Sequence, residues 1–167
     1  MIGRRAAAGL AAAALAVTAL AAPSVRAQAA PARTLRFAPH APLANLDPIW
    51  GTQYVVRNAA MLVWDTLYGI DSRLGPKPQM AEAHEISDDR LAWTIRLRSG
   101  LRFHDGEPVR GTDVVASLER WMVRDPMGQT IRALREELSA PDDRTIRLRL
   151  TAPYPRLLQA LGAISAP

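Results

Sequence analysis

The sequence predicts an α/β fold in which half-buried strands alternate with amphipathic helices, and three patterns carry that prediction. Residues 91–98 place Leu91, Trp93, Ile95 and Leu97 on one side and Ala92, Thr94, Arg96 and Arg98 on the other, the period of a strand with one wet face. Residues 145–151 repeat the device with Ile146, Leu148 and Leu150 against Arg147 and Arg149, and each strand follows an Asp-Asp-Arg turn, 54 residues apart. Between them, Val114, Val115, Leu118, Trp121 and Met122 fall at helical spacing and form a broad apolar stripe.

The first segment is an address, not a fold element. Arg4 and Arg5 precede an uncharged run of Ala and Leu, and 15 of the 30 alanines lie in the first 32 residues. That layout predicts a secretory signal peptide over residues 1–29, with cleavage after Ala27 or Ala29, where small-x-small tripeptides follow Pro23. A membrane anchor needs about 20 strongly apolar residues, and this run of small alanines is too short and too weakly apolar. The general secretory route is expected over the twin-arginine one, because nothing after Arg4-Arg5 strengthens the second match.

The chain has no cysteine, which removes disulfides, thiolate metal sites and a lipid-anchoring residue. Its formal charge of +5 falls to +2 once Arg4, Arg5 and Arg26 leave with the signal, with 18 basic against 16 acidic residues. The remaining arginines are interleaved with acids and read as solvated faces, which sharply weakens a nucleic-acid-binding reading, so no nucleic-acid partner is expected.

Element by element, residues 34–38 form a short strand candidate with Leu35 and Phe37 on one side. A loop rich in proline follows, through Pro39, Pro42, Asn45, Asp47 and Pro48. Val55, Val56, Ala59, Ala60, Leu62, Val63 and Leu67 predict a helix over 54–67. Gly75, Pro76 and Pro78 make 69–79 an extended turn region. After the 91–98 strand, Ser99-Gly100 and His104-Asp105-Gly106 turn the chain twice, and Thr112 is placed to cap the helix that Asp125-Pro126 ends. A short helix is expected over 131–138, and a last one opens at Pro153 and Pro155 and runs through Leu157, Leu158 and Leu161.

No catalytic motif stands out. His40, His84 and His104 lack metal-ligand spacing, and there is no Gly-x-Ser-x-Gly or Gly-x-Gly-x-x-Gly. The run from Gly106 to Thr112 has the spacing of a phosphate loop but lacks its lysine and carries Pro108 where a donor amide is needed. His104-Asp105 reads as a polar turn before a left-handed Gly106. Trp93 and Trp121 belong to apolar faces and are expected in the core. Trp50 and Tyr54 lie in or beside a loop with polar Thr52 and Gln53, the setting of a ligand contact.

The order of pieces is informative as a whole. Leu46-Asp47-Pro48 leads to Trp64-Asp65-Thr66-Leu67-Tyr68 and then Pro78-Gln79-Met80-Ala81-Glu82. After these come Trp93-Thr94-Ile95-Arg96-Leu97-Arg98, Phe103-His104-Asp105-Gly106-Glu107-Pro108-Val109 and the segment from Thr112 to Arg120. This order resembles the family 5 extracellular solute-binding proteins, the dipeptide-, oligopeptide- and nickel-binding components of ABC importers. The resemblance implies part of the first lobe of a two-lobed periplasmic-binding-protein fold of class II, with a mixed sheet and flanking helices. It also implies a periplasmic monomer without cofactor or catalysis. Such a protein captures a peptide or similar small polar solute and delivers it to a permease driven by a separate ATPase. Members are longer than this chain, so residues 30–167 are expected to be an incomplete N-terminal lobe from a fragment or a truncated gene, with the second lobe absent.

In peptide-binding relatives the loop after Leu-Asp-Pro borders the ligand, which maps here to Trp50, Gly51, Thr52, Gln53 and Tyr54. Thr52 and Gln53 are the candidates for hydrogen bonds, Trp50 and Tyr54 for apolar packing, and Arg57 for a charge one helical turn on. The alternative from another class is an exported hydrolase whose catalytic part lies outside this chain.

Overall fold

The computed structural model describes residues 36–51 and 53–163. In chain order the elements are α1 (Tyr54–Ala60), β1 (Tyr68–Ile70), β2 (Pro76–Pro78), β3 (Ala81–Ile86) and β4 (Ala92–Leu97). They continue with α2 (Gly111–Arg124), α3 (Pro126–Leu134), β5 (Arg135–Asp142), β6 (Thr145–Leu150) and α4 (Leu157–Leu161). These elements lie in one compact unit that begins at Ala38. The signal-peptide segment lies outside the described residues, as do Thr34 and Leu35 of the first strand candidate. Arg36, Phe37 and Ala38 form no regular structure.

The two alternating segments pair with each other. β4 and β6 are antiparallel with Trp93 opposite Leu148 and Ile95 opposite Ile146, so the apolar residues of both strands share one face. A slip of one residue would drive Arg147 and Arg149 into that face, which fixes the register. β3 and β5 add on either side to give the order β3-β4-β6-β5, and β1 with β2 forms a separate two-stranded ribbon. The α/β architecture with flanking helices is as expected. Within the described residues every strand pairing is antiparallel, so the parallel pairs of a mixed sheet do not occur among them. For β3–β4 and β5–β6 the reason is local, since a tight hairpin joins only antiparallel strands, while β6 returns antiparallel beside β4 after the excursion through α2, α3 and β5.

Both Asp-Asp-Arg segments are hairpin turns, one joining β3 to β4 and the other β5 to β6. In the first, Asp89 Oδ1 accepts the Leu91 N–H at 2.9 Å and Ser87 Oγ accepts that of Ala92 at 2.9 Å. In the second, Asp142 Oδ1 accepts the Arg144 N–H at 2.8 Å. Arg144 does more than turn the chain. Its guanidinium donates to the Leu97 carbonyl from Nε at 3.0 Å and Nη2 at 2.7 Å, and to Glu82 Oε2 at 2.8 Å, tying the ends of three strands together.

α2 lies over the apolar face and buries Val114, Leu118, Trp121 and Met122, as its stripe requires. Arg110 rather than Thr112 occupies the N-cap position, and its backbone N–H donates to Asp113 Oδ2 at 2.8 Å. The start of this helix is set by packing: the Gly111 N–H donates to the Asp143 carbonyl at 2.7 Å, and a Cβ at Gly111 would meet the Asp142 carbonyl at 2.9 Å. Asp125 ends α2 and opens α3, accepting the N–H groups of Met127 at 2.8 Å and Gly128 at 3.2 Å.

Several boundaries differ from the sequence expectation. The helix expected over 54–67 stops at Ala60, leaving Leu62 87% exposed. The following chain is drawn into extended pairing, since the Leu67 carbonyl accepts from both Gln79 and Ala81 at 3.1 Å. The turn region over 69–79 is a ribbon, with Tyr68 opposite Pro78 and Ile70 opposite Pro76. The short helix expected over 131–138 is displaced to Pro126–Leu134, and residues 135–142 are edge strand β5. Strand β3 was not expected at all.

Trp93 and Trp121 are core residues, and Gly106 takes the expected left-handed backbone at φ 92°. Trp121→Ala is expected to cost about 3–5 kcal/mol in urea unfolding, the usual loss for a fully buried aromatic. Gly106→Val, where only the left-handed backbone is at stake, should cost about 1–2 kcal/mol. A Gly106→Val unfolding curve superimposed on the parent would contradict that role.

Candidate functional site

The loop before α1 is a built turn. Asn45 Oδ1 accepts the Asp47 N–H at 2.8 Å, Asp47 Oδ1 accepts that of Ile49 at 3.0 Å, and the Asp47 carbonyl accepts that of Gly51 at 2.8 Å. Ile49 is buried in the core, and Gly51 leaves no room for a side chain, since a Cβ would sit 2.6 Å from Val56 Cγ1. The tight Leu-Asp-Pro turn is therefore packed on α1 from one side.

From the other side α2 holds it. Arg120 pairs with the Asp47 carboxylate, with its Nη1 3.4 Å from Oδ1. Burial pushes the Asp47 carboxyl up, but the Arg120 guanidinium and the N–H groups of Ile49 and Trp50 outweigh it and leave the group below its usual range. One helical turn on, the Arg124 guanidinium lies 4.9 Å from the centre of the Trp50 ring, a cation-π contact.

The sequence-predicted residues occupy this turn and the helix it launches. Trp50 is 48% exposed on its outer side, Gln53 is the exposed N-cap residue of α1, and Tyr54 opens that helix 71% exposed. Arg57 lies over the Tyr54 ring at 5.9 Å. Thr52 lies outside the described residues. Trp50 and the Tyr54–Arg57 pair thus have separate cationic partners.

Beside the turn is a cavity of about 650 Å³ between residues 45–49, residues 63–65, the 101–109 hairpin and α2. Leu46, Ile49, Trp64, Phe103 and Leu118 give it an apolar floor. Its walls include Asp47 and Arg120 but not Trp50, Gln53, Tyr54 or Arg57. The Phe-His-Asp-Gly-Glu-Pro-Val segment forms a closed turn, with Phe103 N–H donating to the Glu107 carbonyl at 2.8 Å and Arg102 Nη1 to that of Gly106 at 2.7 Å. Its role as a structural turn agrees with this geometry, and Phe103 and His104 additionally line the cavity.

Asp47, Arg120 and Arg124 were not predicted as site residues. Asp47 was visible only as part of a motif. The two arginines sit four apart on the polar face of α2 with nothing local to tie them to a loop 73 residues earlier. Among the described residues no group of three or more acidic or histidine side chains is placed to hold a metal ion, and no helix is long and apolar enough to cross a membrane.

Residues 75–167 match the bacterial extracellular solute-binding proteins, family 5 Middle. The chain is 40% identical over 165 residues to the probable peptide ABC transporter periplasmic-binding protein y4tO of Sinorhizobium fredii, covering 95% of this chain and 29% of that protein. It is 28% identical over 122 residues to the glutathione-binding protein GsiB of Escherichia coli K12, covering 71% of this chain and 23% of the relative. Among solved structures, the binding protein AgaA of A. tumefaciens R10 in complex with agropinic acid superposes with a TM-score of 0.62 at 27% identity, covering 74% of this chain and 25% of that one. The chain spans less than a third of the length of these relatives.

The depressed Asp47 carboxyl gives a pH dependence with a definite sign. A group with a lowered folded pKa contributes stability above its unfolded value, here 3.8, and loses it as pH falls through the folded value. Asp47→Asn should therefore melt below the parent at pH 7, and the gap should close as the parent is acidified below that value. A gap that stays constant with pH would show that the pair adds nothing to folding.

Proposed function

Because this chain belongs to the bacterial extracellular solute-binding proteins of family 5, we propose that it serves an ABC importer as part of the periplasmic binding component. In this reading it captures a peptide or similar small polar solute for a membrane permease driven by a separate ATPase. The observation that carries the reading is the relation to the probable peptide-transport binding protein along 95% of the chain. The turn supports it: a preorganised loop offers Trp50, Gln53 and Tyr54 outward, so a ligand does not have to order the backbone it touches. Trp50 and Tyr54 supply apolar walls, Gln53 and Thr52 hydrogen bonds, and Arg57 a positive charge for a carboxylate end.

The chain carries one wall of the site. The opposing wall belongs to the second lobe of the two-lobed protein, and closure follows because the ligand makes its full contacts only when both walls meet it. Residues 1–29 direct export and are removed, so the mature protein is a soluble periplasmic monomer without catalysis. The exported-hydrolase alternative has no finding in its favour, since each relative described above is a binding protein.

The test is expression from the full reading frame that carries this chain, with the N-terminal segment intact. The periplasmic product should begin at Gln28 or Ala30, and a tripeptide library should raise its melting temperature, a ligand at 100 times its Kd adding about 2.7 kcal/mol. Mass spectrometry should recover the peptide intact. Hydrolysed peptide, or a product that still begins at Met1 and melts unchanged with every peptide, would overturn the reading.

A further inference from the structure

Two arginines of α2 hold the candidate ligand turn at different points. Arg120 and Arg124 are four residues apart, so they project from one face of the helix. Arg120 engages the carboxylate of Asp47, the residue whose carbonyl closes the turn onto Gly51. Arg124 lies over the Trp50 ring at 4.9 Å, between those two residues in sequence. The turn backbone fixes where the Trp50 Cα sits but does not by itself set the rotation of the indole, which is 48% exposed. A planar cation on its face restricts that rotation, because the ring quadrupole favours one placement of the guanidinium.

We propose that Arg124 is a positioning residue that fixes the orientation of the Trp50 indole, with Arg120 holding the turn from which the indole projects. The inference rests on the reading of Trp50 as a ligand contact, and it deepens that reading: the width of the apolar wall offered to a ligand side chain is set from α2, by residues that touch no ligand. Arg124 is suited to the task because it lies in the last turn of α2, exposed on the same side as Arg120, and its guanidinium reaches the loop. A glutamine would shorten the arm and remove the charge, whereas a lysine would keep the charge at similar reach and lose the planar fork.

The test labels the full chain with 5-fluorotryptophan, whose four tryptophans give separate fluorine resonances, with Trp50 assigned through Trp50→Phe. Arg124→Gln should move the Trp50 resonance and increase its solvent isotope shift. The resonances of Trp64, Trp93 and Trp121 and the melting temperature should stay in place. Arg124→Lys should restore most of the parent signal, and Arg120→Gln should broaden or move the Trp50 resonance through the turn. A Trp50 resonance unmoved by Arg124→Gln overturns the inference whatever the ligand result.

Binding of trialanine separates this from the reading beneath it. Trp50→Ala should weaken trialanine, and Arg124→Gln should weaken it about two- to fivefold, the worth of an exposed cation-π contact. Trialanine affinity unchanged by Trp50→Ala would overturn the role of Trp50 in binding while leaving the fluorine result to decide the positioning. Weakening by Trp50→Ala with none by Arg124→Gln would overturn the positioning while leaving the ligand role intact.

Discussion

The pairing of β4 with β6 is the constraint on which the other elements depend. It joins Trp93 to Leu148 and Ile95 to Ile146 across more than fifty residues of chain, and no local preference supplies such a contact. Once it forms, the intervening segment must leave the sheet, cross the apolar face and return, and α2, α3 and β5 do this. Arg144 closes the arrangement at one end by binding the Leu97 carbonyl and Glu82, and the Asp143 carbonyl receives the first helical N–H of α2. The direction in which α2 leaves the sheet, and therefore where its last turn arrives, is decided at that corner.

The parts of the fold legible in the sequence are those whose period matches their burial. β4, β6 and α2 each have one wet and one dry face, and their alternation or stripe gave their place and orientation directly. Strand β3 was invisible because it is an edge strand with a mostly exposed pattern in which Ala81 alone is buried, so it carries no apolar alternation. The Tyr68–Pro78 ribbon was hidden by its prolines, which read as turn residues yet are tolerated in a short two-stranded edge. At residues 61–67 and 135–138 the composition suits a helix, and hydrogen bonds from distant chain override it: Gln79 and Ala81 take the Leu67 carbonyl, and β6 takes residues 135–142.

The candidate site was legible to a similar degree and for the same reason. Trp50 and Tyr54 betrayed themselves by being large aromatics off any periodic face, and they are exposed as that pattern implies. The interactions that hold them are long-range and polar. Arg120 and Arg124 look like ordinary residues of a solvated helix face, and only the three-dimensional return of α2 to the loop distinguishes them from Arg132 or Arg156. Sequence reading finds residues that offend their local pattern and passes over those that satisfy it while doing a second task.

The proposed division of labour between a rigid turn and a mobile closure rests on these contacts. A ligand that had to order residues 45–51 would spend part of its binding energy on backbone entropy, about 1–2 kcal/mol for each residue fixed. The Asx turn at Asp47, the Gly51 hydrogen bond and the packing of Ile49 have already removed that freedom in the folded chain. In a two-lobed binding protein the energy saved is available for the step that signals occupancy, the shift from open to closed forms. Under the proposed function, a stiff wall on this side therefore favours a sharp response on the other. Under that same proposal, a loose loop here would bind a wider range of solutes and would close less completely on each.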